Sequence, residues 1–186
     1  MKARPADGYP TDRPAGSILV VGGGIGGIQS ALDLADTGYF VYLVEKSYTL
    51  GGTMARLDKT FPTNDCSTCM FSPKLVQVAG HPNIEILSNS RLLNLDGLPG
   101  NFCARIEKRP RYIDLEKCIA CGQCAEKCPK KVPDPFNGGL SRRKAAFVTF
   151  PQAVPLKYAL DEENCLYLTR KRCGLCKKIC PTDAVA

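Results

Sequence analysis

Two sets of four cysteines lie in the C-terminal part of the sequence. The members of the first set are separated by two, two and three residues and are followed by proline: Cys118, Cys121, Cys124 and Cys128. The second set ends with the same spacing and also precedes proline, but its first gap has seven residues: Cys165, Cys173, Cys176 and Cys180. Three thiolates in such a tight loop can bind three corners of one iron–sulfur cube, whereas the cysteine before proline lies on the outgoing segment and points away.

The first set has the cysteine spacing of bacterial ferredoxins, in which the cysteine before proline binds the other of two 4Fe–4S clusters. This resemblance predicts two ligand sets: Cys118, Cys121, Cys124 and Cys180 for one cluster, and Cys165, Cys173, Cys176 and Cys128 for the other. Structural zinc is the alternative, because all-cysteine zinc sites also use cysteines two residues apart. Zinc sites rarely need three cysteines in this register before Cys-Pro, and the ending occurs twice, so iron–sulfur chemistry is favoured.

A glycine-rich turn near the N-terminus has the residue types and spacing that bind a dinucleotide. Gly22, Gly24 and Gly27 follow the pattern G-x-G-x-x-G, after an apolar run that predicts a strand and before a run at helical spacing. Glycines allow a tight turn and let backbone N–H groups approach a pyrophosphate, which the helix N-terminus also attracts. Glu45 follows about twenty residues later, where an acid can bind ribose hydroxyls. The alternative is a glycine-rich core turn that binds nothing.

A second pair of glycines bears on which dinucleotide is expected. Gly51 and Gly52 resemble the second glycine pair of flavoprotein dinucleotide sites, which favours FAD over NAD. The acid at Glu45, with no arginine directly after it, also disfavours a 2′-phosphate. The cofactor predicted for this part of the chain is therefore FAD.

Three further residues carry chemistry that the two patterns do not explain. Cys66 and Cys69 form another pair two residues apart, and a helix beginning there would favour a reactive thiolate. The pair is a dithiol or disulfide that exchanges electrons with a flavin, part of a third cluster, half of a zinc site, or inert. Cys103 lies in a strand-like run and is interpreted as a small buried apolar residue. The single histidine, His81, precedes proline and is interpreted as structural, so Ser–His or Cys–His hydrolase chemistry fits poorly.

The elements that position these residues can be predicted from hydrophobic periodicity. A strand, a helix and a strand make the βαβ start of a doubly wound sheet: residues 17–22, 25–37 and 40–45. Residues 47–80 have a weak pattern and predict a loop-rich stretch. A further strand over 84–87 and a hairpin around a turn at 97–100 follow.

Composition changes near Pro110, where the cysteine-dense part begins. We therefore predict three regions: a flexible leader over 1–16, a partial FAD-binding domain over 17–110, and a ferredoxin-like domain with two 4Fe–4S clusters over 111–186. The fold class is α/β, a partial Rossmann-like domain followed by a ferredoxin-like α+β domain. The basic run at 142–144 is a docking patch for an acidic partner or, as the favoured alternative, a solvated turn that leads into a strand.

Composition also excludes some classes of protein. No apolar run is long enough for a transmembrane segment, and the first residues do not resemble a signal peptide. Eleven cysteines without a secretory signal indicate metal or redox chemistry in a reducing compartment, so a cytoplasmic location is predicted. The formal charge of +7 would fall to roughly +3 with two clusters on their thiolates. No nucleic-acid partner is therefore expected.

The order of these motifs resembles the A-type component of heterodisulfide reductase, a family of FAD and iron–sulfur proteins from methanogens and related anaerobes. The resemblance extends from Ile18 to Ala186, and both cysteine sets fall where that family has an inserted ferredoxin domain. The stretch Thr60–Cys69 is far more specific than the glycine turn. The segments that carry the resemblance are 20–27, 44–46, 57–69 and 150–155.

The resemblance implies an oxidoreductase that works by flavin-based electron bifurcation. A two-electron donor reduces FAD, which passes one electron to a low-potential ferredoxin and one toward a disulfide-reducing subunit. The implied partners are other heterodisulfide-reductase-like subunits, ferredoxin, and a hydrogenase or another electron-donor subunit. The eight clustered cysteines would connect the flavin with outside carriers. The residues implied to hold the adenosine end of FAD are Gly22, Gly24, Gly27 and Glu45.

The sequence departs from that family in extent. There the ferredoxin segment interrupts the flavin domain, whereas this sequence ends six residues after Cys180. We therefore expect only the N-terminal part of the family and an open sheet edge that a further segment or a second polypeptide completes. Two other functions stay open: a ferredoxin-type carrier or docking module that holds no flavin tightly, and a zinc-stabilised interaction module.

Overall fold

The computed structural model describes residues 16–186, so the leader predicted over 1–16 lies outside the described residues except for Gly16. The N-terminal part is built on a three-stranded parallel sheet in chain order: β1 (Ser17–Val21), β2 (Phe40–Val44) and β3 (Ile84–Leu87). The central strand β2 buries Val41, Leu43 and Val44, because parallel strands are covered on both faces. The three strands lie where the sequence predicts them.

Two helices pack against this sheet and each other. Helix α1 (Ile25–Asp36) connects β1 to β2 and buries one stripe at helical spacing: Ile28, Ala31, Leu32 and Ala35. Helix α2 (Ser67–Gly80) precedes β3 and adds Phe71, Leu75 and Val78 to the same core. Among the described residues, none of the helices has the length and hydropathy of a membrane-spanning segment.

The loop-rich stretch predicted over 47–80 is wrong from Ser67 onward, where α2 begins. The first turns of α2 contain Ser, Thr and Cys, and Pro73 lies inside the helix, so the local sequence hides the helical period. His81 follows α2, with its Nε2 3.2 Å from Asp36 on α1, and its Nδ1 accepts the N–H of Asn83 at 3.1 Å. These contacts agree with the structural interpretation of this histidine.

A long hairpin follows the parallel sheet. Strands β4 (Ser90–Leu98) and β5 (Asn101–Lys108) pair antiparallel and form a sheet of their own, as the turn at 97–100 predicts. Cys103 lies on β5 and is exposed, so its interpretation as a buried residue is wrong. Alternation of residue types indicates burial only where another layer covers the strand, and most side chains of this hairpin are exposed.

The C-terminal part consists of short elements around a second buried cluster. Its helices have four or five residues: α3 (Gln123–Glu126), α4 (Leu166–Arg170) and α5 (Leu175–Ile179). Two strands of two residues, β8 (Ala146–Phe147) and β9 (Ala159–Leu160), pair antiparallel, and Ile113 forms an antiparallel bridge with Val185. Cysteines and small apolar residues share this cluster. The boundary near Pro110 stays a prediction.

The basic run at 142–144 is a strand rather than the predicted turn. Strands β6 (Lys131–Pro133) and β7 (Arg142–Lys144) form a hairpin between the two cysteine sets. The guanidinium of Arg143 is 2.8 Å from a carboxylate oxygen of Asp161 and lies 3.7 Å from the ring centroid of Phe147. One of the three cations is therefore engaged inside the fold.

The two parts are joined by backbone and side-chain contacts. Phe150 and Val154 pack against the N-terminal core, and the N–H of Leu50 donates to the carbonyl of Val154 at 2.7 Å. Arg111 is 7% exposed. Its guanidinium donates to oxygens from both parts of the chain: the carbonyls of Tyr48 and Lys157 and the hydroxyl of Ser88.

We expect replacement of Leu75 by alanine to lower the free energy of unfolding by about 2–5 kcal/mol, because the side chain is 1% exposed and its removal leaves a cavity. Leu140→Ala is the matched control, since Leu140 is 93% exposed. Urea unfolding followed by circular dichroism measures both. Equal losses in the two variants would contradict the assignment of Leu75 to the core.

Candidate cofactor sites

The glycine turn lies between β1 and α1 and contains two kinds of glycine. Gly22 has a φ of +108°, which side-chain-bearing residues rarely adopt. A Cβ on Gly27 would lie 1.8 Å from the carbonyl oxygen of Gly22, so only glycine lets α1 start this close to β1. A Cβ on Gly24, the N-cap of α1, would instead meet open space. Gly27 thus serves packing, whereas Gly24 borders an open cradle.

This cradle fits a pyrophosphate. Cβ atoms added at Gly22, Gly24 or Gly26 would project where the structure has nothing within 4 Å. Helix α1 has twelve residues and no acidic side chain in its first turn, so its N-terminal N–H groups and dipole attract an anion without competition from a carboxylate. Gly26, which the motif leaves unspecified, is part of the same cradle.

Glu45 connects the glycine turn to the end of β2. Its carboxylate is buried and accepts the N–H of Gly23 through Oε2 and the N–H of Ser47 through Oε1, both at 2.6 Å. An ionised carboxylate has about four lone-pair positions. The carboxylate can therefore position the turn and also accept a ribose hydroxyl, the role that the sequence predicts for it.

The second glycine pair lies directly against the first. The N–H of Gly51 donates to the carbonyl of Gly23 at 2.7 Å, and Gly24 forms a bridge with Gly51. A Cβ on Gly51 would lie 2.8 Å from the Cβ of Ala55, and one on Gly52 would lie 3.1 Å from the Cα of Gly24. The fold thus brings together all six residues predicted to bind the dinucleotide. As FAD contacts they stay a prediction.

The first cysteine cavity has a volume of about 310 Å³. Four of its lining residues are the predicted ligands of one cluster: Cys118, Cys121, Cys124 and Cys180. Gly122 begins α3 with a φ of +84°, and a Cβ there would lie 3.1 Å from the hydroxyl of Tyr158. The glycine therefore lets the cysteine loop close around the cavity beneath this tyrosine.

The second cysteine cavity has a similar volume of about 340 Å³ and is lined by the other predicted set: Cys128, Cys165, Cys173 and Cys176. Gly174 begins α5 with a φ of +101°, in the position that Gly122 has in the first loop. Each cavity takes its fourth thiol from the other set, so the thiols surround a space in which each can bind a different corner of a cube. As metal ligands the eight cysteines stay a prediction.

Burial controls the protonation of the inner thiols. It raises the pKa of Cys124 to about 12, with the neighbouring Cys118, Cys121 and Cys176 adding to the rise and the N–H of Ala125 opposing it. Burial also raises the pKa of Cys176. These thiols hold their protons at neutral pH, and a bound metal must displace them.

Cys180 behaves differently. Burial acts to raise its pKa, but hydrogen bonds from the N–H of Ala184 and from Thr182 outweigh it, so the pKa of Cys180 is lowered. The outgoing cysteine of the second set therefore becomes a thiolate more readily than the buried Cys124, with which it shares the first cavity.

Cys66 and Cys69 are joined by a disulfide at the start of α2. Cys66 is the N-cap, and its sulfur accepts the N–H of Cys69 at 3.2 Å. Both residues are exposed, and neither lines either cysteine cavity. The bond agrees with the dithiol or disulfide interpretation, whereas the zinc and third-cluster interpretations both require its reduction.

Two family models match this chain. The FAD dependent oxidoreductase family matches residues 17–79, which contain both glycine pairs and Glu45. The 4Fe-4S binding domain family matches residues 111–134, which contain the first cysteine set. FAD and 4Fe–4S cofactors are thus supported by sequence models that match two separate parts of the chain.

Several curated proteins are similar to most of this chain, and all three named here are A-type subunits of heterodisulfide reductases. The iron-sulfur protein of this type from the CoB–CoM heterodisulfide reductase of Methanocaldococcus jannaschii is 52% identical, over 91% of this chain and 25% of its own length. One of the Methanopyrus kandleri proteins is 57% identical, over 78% of this chain and 22% of its own length. The protein from the H(2):CoB-CoM heterodisulfide,ferredoxin reductase of Methanothermobacter marburgensis is 48% identical, over 90% and 25%. This chain spans about a quarter of the length of these relatives.

A solved structure, the L-proline dehydrogenase of P. horikoshii, is also similar to this chain. The two are 24% identical with a TM-score of 0.44, and the match covers 50% of this chain and 19% of the other.

We expect Gly24→Ala to raise the Kd for FAD roughly tenfold, which is about 1.4 kcal/mol, because the added methyl group enters the pyrophosphate cradle without touching the protein. Gly80→Ala is the matched control, since a Cβ at this last residue of α2 also meets nothing within 4 Å. Titration calorimetry with FAD measures both. Equal affinities in the two variants would exclude the cradle as the binding site.

Proposed function

Since the chain is homologous to one part of the A-type heterodisulfide reductase proteins, we propose that it transfers electrons between a flavin and ferredoxin-type partners through two 4Fe–4S clusters. The homology confirms the family resemblance expected from the motifs. Flavin and iron–sulfur cofactors follow from the matched family models. The number of clusters, their ligands and the partners belong to the proposal.

The crossed arrangement of the eight cysteines carries this proposal. Two separate cavities of similar volume each have four thiols in their lining, and in each case three come from one set and the fourth from the other. A two-cluster ferredoxin needs this arrangement, because the cysteine before proline leaves its own loop. The second cavity supports a second cluster although the matched 4Fe-4S model ends before its set begins.

The flavin side of the proposal rests on the glycine cradle and Glu45. The cradle and the N-terminus of α1 would hold the pyrophosphate, and Glu45 would orient the ribose while its other contacts keep the turn in place. FAD, when bound, accepts two electrons together and releases them singly, which suits one-electron carriers such as 4Fe–4S clusters. The chain's own residues thus bind the adenosine half and bring the flavin part next to the cluster part.

The partners and location follow from the relatives. Their printed names include an H(2):CoB-CoM heterodisulfide,ferredoxin reductase and a Ferredoxin:CoB-CoM heterodisulfide reductase. For this chain we propose a complex with other heterodisulfide-reductase-like subunits, exchange with ferredoxin, and a hydrogenase-type or other electron donor. Electron bifurcation at the flavin is part of the same proposal. A cytoplasmic location suits a protein with nine free cysteines in its described part.

Cys66 and Cys69 are proposed as a redox pair that exchanges electrons with the flavin. They lie in the stretch matched by the flavin family model, and helix α2, which they begin, packs against the second glycine pair through Phe71, whose ring would be 3.0 Å from a Cβ on Gly51. Reduction of the disulfide to two thiols takes up two electrons and two protons. If Cys66→Ser/Cys69→Ser leaves turnover of the reconstituted complex intact, this role is excluded.

We expect about eight irons and eight acid-labile sulfides per chain after strictly anaerobic purification, because two four-iron cubes fill the two cavities. Cys124→Ala should lower the iron content to about four, since it removes a ligand of one cube only. Cys103→Ala is the control and should keep all of the iron, because Cys103 lies on β5 and lines neither cavity.

Two outcomes of the iron measurement would change the assignment. About twelve irons, falling by about four in Cys66→Ser/Cys69→Ser, would place this pair on a third cluster and exclude the disulfide role. Negligible iron with stoichiometric zinc would overturn the electron-transfer function.

A further inference from the structure

The two cysteine loops are built alike, which allows their surroundings to be compared. The N–H of the first cysteine in each loop donates to the carbonyl of an aspartate four residues earlier: Cys118 to Asp114 at 3.0 Å and Cys165 to Asp161 at 2.8 Å. Each loop then turns through a glycine with positive φ: Gly122 and Gly174. Differences in charge around this common frame can therefore be assigned to one cavity or the other.

Each cavity has one lysine in an equivalent role. The ammonium of Lys157 donates to the carbonyl of Cys118 at 2.5 Å, and the ammonium of Lys144 donates to the carbonyl of Cys128 at 2.5 Å. Cys118 lines the first cavity and Cys128 the second. Both lysines are partly buried, so each places a positive charge next to the backbone of one cysteine. The lysines alone make the two cavities equal.

The first cavity has an additional cation in Arg111. This residue is buried, and its guanidinium donates to the carbonyls of Tyr48 and Lys157 and to the hydroxyl of Ser88. None of these partners carries a negative charge. Burial lowers the pKa of Arg111 while Tyr48 and Cys118 oppose this, and the guanidinium stays protonated at all working pH values. Through Lys157, Arg111 is one residue away from the Cys118 carbonyl.

The aspartate of the first loop frame is exposed. Asp114 lies at the surface, where its carboxylate accepts the N–H groups of Glu116 and Lys117. Solvent screens an exposed carboxylate far more than a buried cation. Asp114 therefore offsets the charge of Arg111 and Lys157 only in part.

The second cavity has an arginine whose charge is balanced. Arg143 contacts the carboxylate of Asp161 at 2.8 Å and that of Asp134 at 3.9 Å. The side chains of Arg143, Asp161 and Asp134 are 15%, 10% and 20% exposed, so this group of three is shielded together. Asp161 has the position in the second loop that Asp114 has in the first, but it is buried. Together with Lys144, the second cavity has two cations and two shielded acids.

We propose that the uncompensated positive charge of Arg111 and Lys157 makes the cluster at the first cavity the easier of the two to reduce. A 4Fe–4S cluster gains one negative charge on reduction, and a partly buried cation stabilises that charge because the surrounding dielectric is low. An electron shared between the clusters therefore resides on the one held by Cys118, Cys121, Cys124 and Cys180. This inference rests on the proposed function, since it requires both clusters.

The contacts of Arg111 give this order a direction in the fold. The guanidinium also binds the carbonyl of Tyr48, which follows Glu45 and Ser47 at the end of the flavin half-site. The cation thus lies on the side of the first cavity that faces the flavin part. The more easily reduced cluster is the one adjacent to that part, and the second cluster is the higher-energy position for the electron. Arg111 and Lys157 act as positioning residues through their charge.

Redox titration of the two-cluster chain, followed by electron paramagnetic resonance, tests the proposal. We expect Lys157→Gln to lower the higher of the two potentials by about 59 mV, which is a tenfold change in a one-electron equilibrium. Lys144→Gln is the matched control and should lower the other potential, because its ammonium binds the cysteine carbonyl at the second cavity. Iron content and circular dichroism of each variant confirm that both clusters and the fold are retained.

A pair of substitutions at Arg111 separates charge from packing. Arg111→Gln should lower the same potential as Lys157→Gln, whereas Arg111→Lys keeps the charge and should leave that potential closer to the wild-type value. If Arg111→Gln does not fold, the two lysine variants decide the question alone. The inference is overturned if Lys157→Gln and Lys144→Gln shift the same potential, or if Lys157→Gln shifts the lower one.

The failure of the inference can be told apart from the failure of the proposed function. A wild-type chain with fewer than two clusters overturns both the proposed function and the inference. A chain with two clusters whose potentials do not respond to Lys157→Gln overturns the inference and leaves the proposed function intact.

Discussion

Cys128 and Cys180 each leave their own loop and line the cavity of the other, and the rest of the C-terminal part depends on this exchange. Helices of four or five residues and strands of two residues bury little apolar surface by themselves. Cysteines contribute to the buried cluster that these elements share. Under the proposed ligation, metal binding supplies free energy that a core of this size does not. The two loops therefore form one folding unit, and loss of one cluster affects both.

The seam between the two parts is polar where it meets the clusters and apolar where it meets the sheet. Phe150 and Val154 extend the N-terminal core, and the stacked rings of Phe136 and Phe150, with centroids 5.2 Å apart, connect the β6–β7 hairpin to it. Arg111 holds carbonyls from both parts at once. A buried guanidinium that is satisfied only by neutral oxygens keeps its full charge. The same residue thus serves as a structural link and as a source of electric field.

The sequence predicts features that depend on neighbours in the chain and misses those that depend on distant contacts. The βαβ start and both cysteine groupings follow from local periodicity and spacing. Helix α2 is missed because Pro73 and its polar first turn obscure the period, and Cys103 is misassigned because alternation does not reveal whether another layer covers a strand. The bond between Arg111 and Tyr48 joins residues 63 positions apart, and no pattern in the chain marks it.

The exchange of Cys128 and Cys180 has a consequence for biosynthesis. The ribosome releases Cys118, Cys121 and Cys124 well before Cys180, the last cysteine of the chain. Under the proposed ligation, the first cavity has no fourth thiol until translation has almost reached residue 186. Iron–sulfur transfer to this chain is therefore a late event, and the earlier thiols must be kept reduced while they wait.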